Sequence, residues 1–309
     1  MSLETDLLID RRRLKRRVVV WRTLAVLALI GIILVALRGR EGGIWFGGPY
    51  VARARVNGII AGEDELATEL RKLATDKAAR ALVVEIDSPG GGVNAGEVLH
   101  DAIAAVAARK PVVSVMGGIA ASAGYMIAVP ARRIFAREGT LTGSIGVYVQ
   151  SFEVTGLLDK IGVTPEVFKS GPLKDEPSPF EKTSPEARQM LQGIVGDYYD
   201  QFVAMVAAGR HMDVEKVRAL ADGRPYTGRQ AVALGLVDQL GDEQDARAWL
   251  ASAAGVPTSL PWRDISRASL AARTFGDSLS TLVEQAWKSL LSQWLSLDGV
   301  WSLWQRPGE

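Results

Sequence analysis

The chain contains no cysteine, and only two of its 309 residues are histidines. The first absence excludes disulfides and cysteine metal sites, while an oxidising compartment is tolerated. Net charge is nearly absent as well: 36 Lys and Arg against 35 Asp and Glu leave +1, which argues against nucleic acid as the main partner. The chain also lacks the Gly-Lys-Ser/Thr ending of a phosphate loop and the glycine spacing of a dinucleotide fold. What remains is ordinary globular composition, 48% hydrophobic and 23% charged, enough for one large domain or two small ones.

Charge is unevenly placed. Residues 1–17 end in the basic run Arg11 to Arg17, and Val18 to Leu37 follow as an apolar run. A run of about 20 such residues is long enough to cross the hydrocarbon core as a helix. Arg22 lies near its basic end, where a long stem can snorkel to the headgroups. The basic excess precedes the span, so the positive-inside rule keeps the N-terminus in the cytoplasm and sends the rest across. A cleaved signal peptide is the rival, and "VALRGREGG" offers no good cleavage site. The expectation is a single-pass anchor in the cytoplasmic (inner) membrane, with the body on the periplasmic or extracytoplasmic side.

Residues 38–50 are Gly-rich and read as a linker. From 51 to about 255, strand-like and helix-like segments alternate. "VARARVNGII" has a period of two, Leu66, Leu70 and Leu73 have helical spacing, and "ALVVEID" and "PVVSVMGG" are short apolar strands. Ser184 to Arg210 reads as a long helix with a serine cap and Pro185 at its first position. Strands alternating with helices predict an α/β domain with a mainly parallel sheet. Residues 256–309 differ. Leu279, Leu282, Val283, Ala286, Trp287, Leu290, Leu291 and Trp294 share one helical face, and four of the eight tryptophans lie between 278 and 304. Such a helix suits core packing, a membrane interface or another subunit.

Three glycine-rich turns follow strand-like segments: "DSPGGGV" (Asp87 to Val93), "GGIAASAG" (Gly117 to Gly124) and "GTLTGSIGV" (Gly139 to Val147). Turns of this kind present unpaired backbone N–H groups that can bind phosphate or form an oxyanion hole. Plain tight turns explain any one of them and explain the set less well. Ser122 stands alone among small residues in the second turn and is a candidate nucleophile, which needs a base. His100 falls inside a predicted helix and His211 ends the long one, so neither adjoins a turn that suggests a site. That favours a lysine, which serves when burial lowers its pKa. Lys174, in the Gly/Pro-punctuated loop "KSGPLKDEPSP" after the strand-like "TPEVFKSG", is the candidate, with Lys169 and Lys182 as rivals.

The motifs "VNGII", "EIDSPGGGV", "AASAGYMIA", "LTGSIGV", "KSGPLKD" and "GRPYTGRQAVALGLVDQLG" occur in that order between Val56 and about Asp245. In this the body resembles the signal peptide peptidase A family of membrane-anchored bacterial serine proteases. The resemblance implies a Clp protease/crotonase-like fold of repeated β-β-α units, here behind one transmembrane helix. It implies a serine–lysine dyad of Ser122 and Lys174, with an oxyanion hole from the N–H groups of Gly91 and Ala123. The family usually has glycine where Ala123 stands. Ser144, in "GSIG", is a candidate either to orient the lysine or to stabilise its own turn. No metal or cofactor is implied. The implied work is digestion of remnant signal peptides, with apolar pockets expected around Ile119, Met126 and Ile127, in a ring-like homo-oligomer where one subunit's lysine can serve its neighbour's serine. The alternatives are a related protease cleaving a specific membrane-protein partner and an inactive scaffold of the same fold. An acyl-CoA hydratase is a further one that nothing resembling a coenzyme A site supports.

Overall fold

The computed structural model describes residues 48–62 and 64–265, together with 21–23 and 26. The expected span at 18–37 and the Trp-rich helix of 279–294 therefore lie largely or wholly outside the described residues. Among the described residues no helix is long and apolar enough to cross a membrane. The chain divides into two compact units, one of residues 48–267 and one of residues 1–47 and 268–309. The account below concerns the first.

Its strands are β1 (Tyr50–Ile60), β2 (Ala79–Gly91), β3 (Val112–Ala121), β4 (Arg133–Ala136), β5 (Leu141–Gly143), β6 (Pro225–Thr227), β7 (Gln239–Leu240) and β8 (Trp262–Asp264). They form one sheet in the order β6-β5-β3-β2-β1-β8, with β4 and β7 branching from β3. Every pairing is parallel except β5 with β6. β8 adds a strand beyond residue 255, so the sheet extends past the boundary expected from the sequence. The buried Tyr50 already belongs to β1, which ends the linker at residue 49.

The helices are α1 (Asp64–Thr75), α2 (Val93–Ala107), α3 (Ala123–Ala128), α4 (Thr155–Ile161), α5 (Pro185–Arg210), α6 (Val214–Leu220), α7 (Gly228–Leu234) and α8 (Glu243–Ala254). Leu66, Leu70 and Leu73 of α1 and Leu99, Ile103 and Val106 of α2 are buried in one core with Leu82, Val84 and Ile86 of β2. Each such side chain contributes about 1.5–3 kcal/mol by leaving water. Ala81 and Val83 point the other way, into a second core closed by Ala246 and Leu250 of α8. Helices on both faces explain why Ala81 to Val84 of β2 are apolar and buried in succession instead of alternating. α5 starts as predicted: the Ser184 hydroxyl accepts the Ala187 N–H at 3.0 Å and Pro185 takes the first position, a cap worth about 1 kcal/mol.

β3 is where the sheet forks. Val113 to Val115 pair with β4, whereas Ile119 to Ala121 pair with β5. Against β2, the register runs from Ile86↔Met116 to Ser88↔Ala120, so β3 carries extra residues at 117–119. Such an insertion bends a strand. The Asp87 carboxylate holds the bend by accepting the Ile119 N–H at 3.0 Å.

One segment departs from its expected form. "TPEVFKSG" is not a strand: residues 163–168 are exposed and, among the described residues, pair with no strand. They lie in an arm, 148–183, whose only regular element is α4. The arm is tied by the Val154 N–H to the Pro179 carbonyl at 2.9 Å and by an ion pair of Lys169 with Glu181.

Candidate active site

Ser122 stands between β3 and α3, at φ 54° and ψ −123°. Few residues other than glycine adopt a positive φ, and a backbone held there costs about 1–3 kcal/mol. The surroundings impose it. The Ser122 N–H donates to the Gly143 carbonyl at 2.9 Å, and its carbonyl accepts from Tyr125 at 2.8 Å and Met126 at 2.9 Å. A serine at a helix start ordinarily turns its hydroxyl back to cap the helix. Ser122 makes no such bond, so its half-buried Oγ is left for other work. Ala123, the first helical residue, has an N–H that no carbonyl of its own helix can reach.

The end of β2 lies directly against this turn. Gly90 has φ 116°, and a β-carbon there would come within 2.8 Å of the Ser122 Cβ and 3.3 Å of the Ala123 nitrogen. At Gly91 a β-carbon would overlap the Ile60 carbonyl oxygen at 2.0 Å. The run of small residues is thus the condition for two backbones to meet at a hydroxyl. Ala123 fits where the family usually has glycine because Gly96 faces it: a β-carbon on Gly96 would touch Ala123 Cβ at 3.0 Å. Further along α3, the buried Tyr125 hydroxyl donates to the Leu236 carbonyl at 2.8 Å. Burial pushes the Tyr125 pKa well above the ordinary phenol value, so it stays a donor throughout the physiological range.

The third turn borders the first two. Gly143 (φ 74°) and Ser144 (φ 47°) both take left-handed conformations. Ser144 Oγ donates to the Gly223 carbonyl at 3.1 Å, and its N–H donates to Arg224 O at 3.1 Å. Its hydroxyl is engaged in the turn, and among the described residues it bonds no lysine.

The three lysines left open by the sequence sit in different settings. Lys169 is paired with Glu181. Lys182 is exposed. Lys174 is exposed on its loop, its N–H donating to the Gly171 carbonyl at 3.1 Å, and among the described residues its ammonium makes no hydrogen bond or ion pair. The single chain therefore brings Ser122, Gly90, Gly91 and Ala123 together and forms no bond from them to Lys174. Of the residues expected to line apolar pockets, Met126 and Ile127 are instead buried in the core, and only Ile119 is partly exposed. Asp87 and Ser88 escaped the sequence reading, which took the turn for its glycines alone. Their signal was two consecutive polar residues directly before the glycine-rich turn.

A serine held at positive φ on a strand-to-helix turn, with glycine backbone against it, is the candidate catalytic site of this α/β fold. A Clp protease family model matches residues 61–138, and the model of peptidase family S49 matches residues 104–257. "Putative protease slr0021" of Synechocystis sp. is 44% identical over 207 residues, covering 67% of this chain and 75% of the relative. "Putative signal peptide peptidase SppA" of Enterococcus faecium is 42% identical, covering 63% and 61%. "Protease 4" of Salmonella typhi is 43% identical, covering 60% and 30%. The chain thus spans three quarters of the first relative and less than two thirds of the other two. It belongs to the signal peptide peptidase A family, peptidase family S49, and is a serine peptidase.

Proposed function

We propose that the chain is a membrane-anchored endopeptidase that digests signal-peptide remnants with a Ser122–Lys174 dyad. The observation that carries the reading is the Ser122 hydroxyl, held in a strained turn and not used as a helix cap. In the proposed cycle the neutral Lys174 amine takes the Ser122 proton as Oγ attacks a peptide carbonyl. The N–H groups of Gly91 and Ala123 receive the oxyanion, each donor being worth on the order of 3 kcal/mol. The lysine proton passes to the leaving amine, and water then releases the acyl group. No metal or cofactor enters the cycle.

Lys174 reaches Ser122 across subunits of a ring-like homo-oligomer in this reading. The support is the arm that carries it. Tyr148, Phe152, Leu157, Ile161 and Phe168 are each more than half exposed there, more apolar surface than a monomer ordinarily leaves in water. The anchor at residues 18–37 places the domain on the outer face of the membrane, where released signal peptides are met. The test is cleavage of a synthetic signal peptide by the full chain in detergent. Wild type is expected to cleave, and Ser122→Ala and Lys174→Ala are expected to be inert while still assembling. Activity surviving in Ser122→Ala would remove the nucleophile and the reading with it.

A further inference from the structure

Ser88 is a polar residue with no solvent exposure, on the last stretch of β2 and paired with Ala120. A buried hydroxyl requires partners. Both of its partners belong to one residue. Ser88 Oγ accepts the Gly90 N–H at 3.1 Å and lies 3.4 Å from the Gly90 carbonyl oxygen, toward which its own proton turns in a long contact. One hydroxyl therefore faces both peptide units that flank Gly90.

The Gly90 carbonyl and the Gly91 N–H share one planar trans peptide and point in opposite directions. With the carbonyl turned inward to Ser88, the Gly91 N–H is turned outward, where Gly91 is exposed. β1 supports this stretch from one side, Ile60 pairing with Gly91 and accepting the Gly92 N–H at 3.0 Å, but two glycines in succession offer little resistance of their own to a flip of that unit. A flipped unit would aim a carbonyl oxygen, not an N–H, at a developing negative charge. The Ser88 main chain is also pressed on the nucleophile's helix, since a β-carbon at Gly124 would meet the Ser88 carbonyl oxygen at 2.8 Å.

We infer that Ser88 is a positioning residue, whose buried hydroxyl locks the Gly90–Gly91 peptide with the Gly91 N–H facing the oxyanion. The inference rests on the peptidase reading above and on the oxyanion role proposed for Gly91. It adds a group that touches no substrate and acts only through a peptide orientation.

The experiment compares the full-length wild type with Ser88→Ala and Ser88→Cys on the signal peptide, with active sites counted by fluorophosphonate titration. Both variants are expected to lose ten- to a hundredfold in kcat, with KM within twofold of wild type. Affinity for a peptide boronate, a tetrahedral mimic, should fall in step with kcat/KM, because only the charged tetrahedral state uses the N–H fully. A purely structural role would lower the unfolding midpoint and leave kcat per titrated site untouched. The cysteine keeps the shape of serine with a slightly bulkier atom and a poor hydrogen bond, so it reports if the alanine variant does not fold. A kcat per site within twofold of wild type in either variant overturns the positioning role, as does a loss confined to KM. A wild type that cleaves nothing, or an active Ser122→Ala, overturns the peptidase reading and this inference together. An active wild type beside an undiminished Ser88→Ala overturns this inference alone.

Discussion

Gly90 and Ser122 are 32 positions apart in the chain, yet a β-carbon on Gly90 would lie only 2.8 Å from the Ser122 Cβ, and the same carbon would crowd the Ala121 carbonyl oxygen at 3.1 Å. Gly90→Ala must therefore move the serine, the loop or both, and alanine also resists φ 116°. The expected outcome is a loss of about 1–3 kcal/mol in stability and at least a hundredfold in kcat. Urea unfolding and peptide cleavage by the full chain read the two effects separately. Activity near that of wild type would mean that the backbones can separate without consequence for the site.

Ser122 itself is held in a conformation that suits glycine better than any side chain. Ser122→Gly and Ser122→Ala should both abolish cleavage. They should differ in stability, with the glycine variant about 1 kcal/mol the more stable, because alanine keeps the strain and glycine releases it. Denaturant midpoints of the two inert proteins give the comparison directly.

If one subunit's Lys174 serves its neighbour's Ser122, two inert variants can complement each other. Ser122→Ala and Lys174→Ala protomers, unfolded, mixed and reassembled, should regain roughly a quarter of wild-type cleavage at equal ratio, since random mixing pairs an intact serine with an intact lysine at about one interface in four. Reassembled mixtures without any activity would place the dyad within one chain. The arm should also be the assembly surface, so Phe168→Asp, on a residue 90% exposed in the single chain, is expected to lower the sedimentation coefficient.

Beside α3 the core carries a largely buried ion pair. Arg210 Nη2 donates to Asp238 Oδ1 at 2.7 Å and Nη1 to Oδ2 at 3.0 Å, and the same carboxylate accepts the Ile134 N–H at 2.7 Å. Burial disfavours the Arg210 charge, but the Asp238 carboxylate more than offsets it and holds the arginine pKa above its ordinary value. Asp238→Ala would leave that charge unpaired. A loss of about 3–5 kcal/mol is expected in denaturant unfolding, enough to reduce the yield of folded protein.

Tyr50 gives the domain an alkaline signature. Its hydroxyl donates to Asp76 at 2.7 Å, and burial, reinforced by that carboxylate, pushes its pKa from 10.0 up to about 12. A phenol whose pKa is raised by folding stabilises the native state fully below the unfolded value near 10. That contribution is lost as pH rises through the folded value near 12. Wild type should therefore lose stability more steeply than Tyr50→Phe between pH 10 and 12. At pH 8 the phenylalanine variant should be the weaker by about 1–2 kcal/mol, from the lost hydrogen bond. Parallel slopes of urea midpoint against pH would show that Tyr50 does not titrate in that window.

Much of this protein was legible from local pattern alone. Helical spacing at Leu66, Leu70 and Leu73 and the Ser184–Pro185 cap are signals carried within a few residues, and both elements form as read. The motif order placed Ser122 beside glycine-rich turns, and the family follows from that order. "TPEVFKSG" misled because β-branched and aromatic residues mark a strand only where a partner strand exists, and the described residues provide none. Met126 and Ile127 misled because apolar residues next to a candidate nucleophile face the core as readily as a substrate.

The sequence by itself determined the chemistry available: a lone serine among small residues, lysines and no well-placed histidine to serve as base, and no cysteine at all. It also determined the α/β alternation that carries the site. Only the tertiary structure decided how the serine is held. The approach of Gly90 and the bond from the Ser122 N–H to Gly143 that helps hold its positive φ each join segments that no short-range pattern relates. The bend of β3 on Asp87 brings the strand ends together, and that contact exists only once β2 and β3 have paired. Spacing along a chain records which residues can share a face of one element. Which backbone then presses on which is settled by packing between elements.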